Sequence, residues 1–119
     1  MRILIVEDSV NARNQYRELF VPEGYELIEA ENGFEALGAI QFYKGKLDII
    51  ICDVNMPKLD GLSVCEMVHR DKIETAPIIM VTTELDPLMK KRGIDAGVRV
   101  WFHKPVDEDK LLDVVQKLT

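Results

Sequence analysis

With 119 residues, 47% of them hydrophobic and 30% charged, the chain is long enough for one hydrophobic core, too short for two and too apolar for disorder. We therefore expect a single domain over residues 1–119. No apolar run reaches the roughly 18 to 20 residues of a membrane span. The net charge is −6, and no basic cluster exceeds Lys90, Lys91 and Arg92, which argues against direct binding of nucleic acid.

In chain order, ILIV (3–6) reads as a first buried strand and runs into Glu7-Asp8. This apolar run is also shorter than the roughly 7 to 15 residues of a signal peptide, so a cytoplasmic location is expected. A first helix follows, with Ala12, Tyr16, Leu19 and Phe20 spaced as one apolar face. ELIEA (26–30) reads as a second strand. Its Glu26 and Glu29 assign it to a sheet edge, because a central parallel strand is apolar throughout. Gly33 to Tyr43 predicts a second helix and DIIIC (48–52) a third strand, which runs directly into Asp53.

The segment CDVNMPKLDG (52–61) then breaks at Pro57 and Gly61, and Asp60-Gly61 caps a third helix over Leu62 to Arg70. IIMV (78–81) predicts a fourth strand ending at Thr82-Thr83. Asp86-Pro87 reads as the N-cap and first position of a helix that runs to about Asp95, before Gly97. RVWF (99–102) is the fifth strand, followed by His103-Lys104-Pro105. The last helix presents Leu111, Val114, Val115 and Leu118 on one face. Cys52 and Cys65 fall in a buried-type strand and a helix, and are read as unpaired structural thiols.

Strict alternation of strands and helices implies an α/β, doubly wound, five-stranded parallel sheet with right-handed crossovers and helices on both faces. With the second strand at an edge, the simplest flavodoxin-like order is 2-1-3-4-5. That order places strands one and three side by side, so Glu7, Asp8 and Asp53 meet at one rim. Two like charges about 4 Å apart repel by about 4 kcal/mol at an effective dielectric of roughly 20, so three carboxylates call for a cation. Oxygen ligands suit a hard divalent ion, and Mg²⁺ takes one or two carboxylates together with a phosphate oxygen. Thr82 and Lys104, at the ends of strands four and five, would bring a hydroxyl and an ammonium to the same rim, and both suit a phosphoryl oxygen. Asp53 then has the role of nucleophile.

These residues, from ILIVEDS through CDVNMPKLDG and VTTE to FHKPV, resemble the receiver domain of two-component response regulators, most closely the single-domain chemotaxis type. That chemotaxis protein is a standard example of the 2-1-3-4-5 order, so order and resemblance are one inference rather than two. The resemblance covers the whole chain. It implies that Asp53 is the phosphoacceptor, that Glu7 and Asp8 hold Mg²⁺ with Asp53, and that the backbone carbonyl of Asn55 completes the coordination. It also implies Thr82 as the switch hydroxyl, Lys104 as the lysine on the phosphoryl group and Trp101 as the switch aromatic. Asn55 and Glu84 match positions that tune dephosphorylation. The implied protein is a switch rather than a conventional enzyme, catalysing only its own phosphorylation and dephosphorylation. Its phosphodonor would be a sensor histidine kinase. Its output would be a downstream protein, the flagellar motor or another, reached through helix four, strand five and helix five. A monomer is expected, with a phosphorylation-dependent dimer on that same surface left open.

Three residues depart from the family pattern. Trp101 is larger than the usual Tyr or Phe, Thr83 stands where Ala or Ser is commoner, and Val98 follows Gly97 in place of Ala. Taken singly, Thr82 reads as a strand-end hydroxyl bonded to backbone, Trp101 as core, and His69 and His103 as structural or exposed. Three rivals were weighed. An aspartate-nucleophile phosphatase lacks its second acid, since Asn55 stands there, and has no room for a cap. A flavin carrier of the same architecture would need a phosphate-binding loop where VEDSVNARN carries two negative charges. The third is a receiver cut from a longer regulator with a DNA-binding or enzymatic output domain. The sequence does not exclude this third reading, although the chain ends after the last helix with no linker.

Overall fold

A computed structural model describes residues 1–56, 58–72, 76–84 and 86–119. Strands and helices alternate as β1 (Arg2–Val6), α1 (Val10–Phe20), β2 (Glu26–Ala30), α2 (Gly33–Phe42), β3 (Ile49–Asp53), α3 (Gly61–Arg70), β4 (Ile78–Thr82), α4 (Pro87–Asp95), β5 (Val98–His103) and α5 (Glu108–Leu118). The sheet is parallel, in the order β2-β1-β3-β4-β5. Every residue of β3 and β4 is buried, as their unbroken apolar runs require, whereas β2 and β5 at the edges mix buried and open positions.

Because side chains alternate across a strand, the central strands feed two cores. Leu4, Val6, Ile50, Cys52, Ile78 and Met80 face the side covered by α2 and α3. Ile3, Ile5, Ile49, Ile51, Ile79 and Val81 face Phe20 of α1 and Leu111 and Val115 of α5. Each helix begins on a polar cap: Ser9, Asn32, Asp60, Asp86 and Asp107 accept from the backbone N–H three residues on. Each such cap contributes about 1 kcal/mol.

Several boundaries differ from the sequence expectation. β3 includes Asp53 and β4 includes Thr82, because parallel pairing continues through Asp53↔Val81 and Thr82↔His103. β1 begins at Arg2, β5 spans one residue more at each end, α2 stops at Phe42, and α3 begins at Gly61. A short 3-10 turn, Val21–Glu23, follows α1 and had no counterpart in the sequence pattern. The expected inward face of α1 needs correction: Ala12, Tyr16 and Leu19 are half-buried, Phe20 is buried, and so is the charged Arg13. Cys52 and Cys65 are free and buried. His69 and His103 are exposed. Pro57 lies outside the described residues. Among the described residues no helix is long and apolar enough to cross a membrane.

Candidate functional site

The register of β1 against β3 sets Val6 opposite Cys52, so the next residues, Glu7 and Asp53, emerge side by side. The backbone of Glu7 is held from both flanks. Its N–H donates to the Ala30 carbonyl at 3.0 Å, and its carbonyl accepts from Nη1 of Arg13 at 2.7 Å. One carboxylate oxygen from each of Glu7, Asp8 and Asp53 lies within 4.8 Å of the others, with Glu7 and Asp53 buried and Asp8 exposed. After β3 the chain turns sharply. Gly61 N–H donates to the Val54 carbonyl at 3.2 Å, and a Cβ at position 61 would run into the Asp53 carbonyl, so this close approach admits only glycine.

Lys104 enters from the far side. Its backbone N–H donates to the Thr82 carbonyl at 2.8 Å, carrying the β4–β5 pairing one step past His103, and a cis Lys104–Pro105 peptide follows. Its ammonium donates to Oδ2 of Asp53 at 2.9 Å and to Oε1 of Glu7 at 3.4 Å. Burial alone would lower the Lys104 pKa, but the hydrogen bond and charge of Asp53, with those of Glu7, outweigh it and raise it. One ammonium does not compensate the acids. Burial first, then the hydrogen bond and charge of Asp53, push Glu7 from its ordinary 4.5 to about 8.

A second hydrogen-bonded group adjoins the first. Asn55 N–H donates to Oδ1 of Asp53 at 3.0 Å, fixing one carboxylate oxygen. The Asn55 side-chain Oδ1 accepts from the Thr83 hydroxyl at 3.3 Å and lies 3.3 Å from the Thr82 hydroxyl. Thr82 is fully buried, and its hydroxyl donates to the Glu84 carbonyl at 2.8 Å while accepting from the Glu84 N–H at 3.1 Å. The structure thus gathers Glu7, Asp8, Asp53, Lys104 and Asn55 into one centre. Thr82 and Glu84 sit beside it with their hydrogen bonds turned toward each other. Trp101 packs elsewhere, over Gly93 of α4, with its indole N–H buried and without a hydrogen-bond partner among the described residues.

Sequence reasoning missed two residues. Arg13 reads as a solvated helix charge, yet it is buried and also lies 3.4 Å from Glu29. The available signal was Glu29 on an edge strand facing Arg13 and Arg17, four apart on one helix face. Tyr16 reads as core from its helical spacing. It lines a cleft of about 380 Å³ beside the acids, with Glu7, Ser9, Gln15, Lys104 and Glu108 among the other walls. Burial, then the charges of Glu7 and Asp53, raise its pKa.

The residues suit a divalent cation. Among the described residues Oε2 of Glu7 is a buried acceptor without a hydrogen-bond partner, and an all-oxygen set with excess negative charge is what a hard ion requires. The sequence profile of the response regulator receiver domain matches residues 3–116. The chain belongs to the response regulator receiver family. As a receiver it is 32% identical to protein PilH of Pseudomonas aeruginosa, over 96% of this chain and 93% of that protein. It is 33% identical to sporulation initiation phosphotransferase F of Bacillus subtilis, over 98% and 91% respectively. The crystal structure of the Vibrio cholerae chemotaxis protein CheY4 superposes with a TM-score of 0.88 at 34% identity, covering 99% of this receiver and 98% of that chain. Other curated relatives are longer: the receiver spans 14% of a Helicobacter pylori sensor histidine kinase, CheAY, and 46% of the B. subtilis regulator YrkP. Receivers of this CheY-like kind act as signalling switches in two-component phosphorelays, not as conventional enzymes.

Proposed function

We propose that this receiver takes a phosphoryl group from the phosphohistidine of a sensor histidine kinase onto Asp53. The observation that carries the reading is the convergence of Glu7, Asp8 and Asp53 within 4.8 Å, with the Lys104 ammonium 2.9 Å from Asp53. Oδ of Asp53 attacks phosphorus, the phosphorus–nitrogen bond breaks, and the bonding pair remains on the donor imidazole. A carboxylate nucleophile needs no separate base. Lys104 steadies the added charge, and the Asn55 N–H holds the second carboxylate oxygen in place.

Glu7, Asp8 and Asp53, with the Asn55 carbonyl, would hold Mg²⁺, which supplies charge neutralisation and in-line alignment of the phosphoryl group. Thr82 exchanges its Glu84 partner for a phosphoryl oxygen, and Trp101 and the α4–β5–α5 surface respond. Reversing a roughly 1:99 equilibrium takes about 5.5 kcal/mol. Two hydrogen bonds to a charged group, at roughly 1.5 to 3 kcal/mol each, supply most of that. Dephosphorylation follows when water attacks phosphorus, the bond to Asp53 breaks, and phosphate leaves. Asn55 and Glu84 tune that step.

Near-complete coverage of PilH and phosphotransferase F supports a single-domain chemotaxis-type switch acting on an output protein, the flagellar motor or another. The half-length match to YrkP supports the second reading, a receiver within a longer regulator with a DNA-binding or enzymatic output. Incubation with a small phosphodonor and Mg²⁺ tests the shared step: acid-stable, base-labile phosphate should appear on the protein. Turnover of phosphomonoesters would favour a phosphatase instead.

A further inference from the structure

The outer face of α2 carries two of the most exposed large apolar side chains in the described structure, Phe34 at 62% and Phe42 at 79%. They flank Gly38 at spacings of four, so all three lie along one i±4 row. Gly38 is unexplained by the monomer. Its backbone is not left-handed, a Cβ there would meet nothing within 4 Å, and glycine inside a helix costs stability relative to alanine.

From these observations we propose that α2 is a self-association surface on which a second copy of this chain docks antiparallel, with the twofold axis at Gly38. The residue numbers are self-complementary about that point. Position 34 falls on the partner's 42 and position 35 on the partner's 41, which sets phenylalanine on phenylalanine and carboxylate (Glu35) on amide (Gln41). Exposed Glu31 lies just before the helix and exposed Lys44 and Lys46 just after it, so an antiparallel partner brings opposite charges to the same end of the interface. Crossing at about 50°, the common class in which i±4 rows align, lays the two rows against each other, and the missing side chain at 38 lets the backbones approach. Phe42 is already braced edge-on against Tyr43, with ring centroids 4.8 Å apart.

A single helix face falls short of the about 800 Å² per partner of a standard interface, so the dimer is weak and forms at high concentration. α2 packs on the β2 edge, and β5 forms the opposite edge, so α4 and β5 stay open in the dimer. The association is therefore independent of phosphorylation.

Sedimentation equilibrium of the intact chain up to millimolar concentration, with a cysteine cross-linking arm, tests this. Glu35→Cys with Gln41→Cys, which the twofold sets opposite each other while Gly38 stays intact, should form a disulfide-linked dimer under mild oxidation, whereas Gln116→Cys on the exposed face of α5 should not. Phe34→Ser with Phe42→Ser should weaken association by at least about tenfold while the circular dichroism stays native. Glu31→Lys should weaken it too, and adding Lys44→Glu and Lys46→Glu should restore it. A chain that stays monomeric throughout, a dimer indifferent to Phe34 and Phe42, or cross-linking at 116 but not between 35 and 41 would each overturn the proposal.

Discussion

Gly93 and Trp101 are sterically matched: the indole of Trp101 on β5 lies so close over α4 that a Cβ at position 93 would overlap its ring, with Cη2 at 3.0 Å. The large aromatic at 101 is thus accommodated by the absence of a side chain on the neighbouring helix. In an unconstrained helix interior, Gly→Ala stabilises by up to about 1 kcal/mol. Here Gly93→Ala should destabilise instead, and shift the emission and acrylamide quenching of this lone tryptophan. In a Trp101→Ala background the same substitution should become neutral or stabilising. A double-mutant cycle by urea denaturation measures the difference.

Arg13 secures the Glu7 carbonyl from α1, and Glu29 holds both Arg13 and Arg17. Arg13→Met removes a buried charge-assisted hydrogen bond and should cost about 1.5 to 3 kcal/mol. It should also weaken Mg²⁺ binding, because the β1–α1 turn that aims Glu7 loosens. Arg17→Met, at a solvent-exposed pair, should leave both stability and Mg²⁺ binding close to those of the unaltered protein. Chemical denaturation and Mg²⁺ titration of both variants separate the two contributions.

Glu7 carries a proton in the folded, metal-free protein from pH 4.5 to about 8 that the unfolded chain has released. Metal-free stability therefore falls as pH rises through that window. Mg²⁺ needs the carboxylate, so its affinity should climb toward pH 8, with proton uptake by buffer on binding. Saturating Mg²⁺ should flatten the stability slope, and Glu7→Gln should remove it. Calorimetry in two buffers of different ionisation enthalpy, with denaturation at several pH values, checks both.

Lys104 is the cation that faces Asp53 and Glu7 in the metal-free site. Replacing it with Met leaves two buried acids without that partner. Removing one partner of a fully buried pair costs roughly 3 to 5 kcal/mol, and partial exposure of Lys104 reduces this to about 1 to 3. The loss should be largest at alkaline pH and shrink on addition of Mg²⁺, as thermal unfolding would record.

The fold was legible because three central strands are apolar throughout while ELIEA is not, which puts the second strand at an edge; the full order 2-1-3-4-5 came together with the family resemblance. The acid cluster followed from that order alone: Glu7 and Asp53 lie far apart in the chain but end adjacent strands. Arg13 was not legible, because its burial depends on Glu7 and Glu29 closing over it from two strands, which helical spacing does not report. The backbone bonding of Thr82 is what a strand-end hydroxyl taken singly suggests, and only the identity of its partner, Glu84, was hidden. A strand-end hydroxyl can turn to backbone or to the site, and the Glu84 loop decides which. Thr83, a departure from the Ala or Ser commoner in the family, reaches Asn55 with its hydroxyl.

The central claim is that Asp53 accepts phosphate in a cation-dependent reaction. Intact and peptide mass spectrometry after incubation with acetyl phosphate, with Mg²⁺ or with chelator, tests it most directly. The account predicts one added phosphoryl group, on the peptide containing Asp53, absent with chelator and absent in Asp53→Asn. Phosphate on another residue, or modification that survives Asp53→Asn, would contradict it.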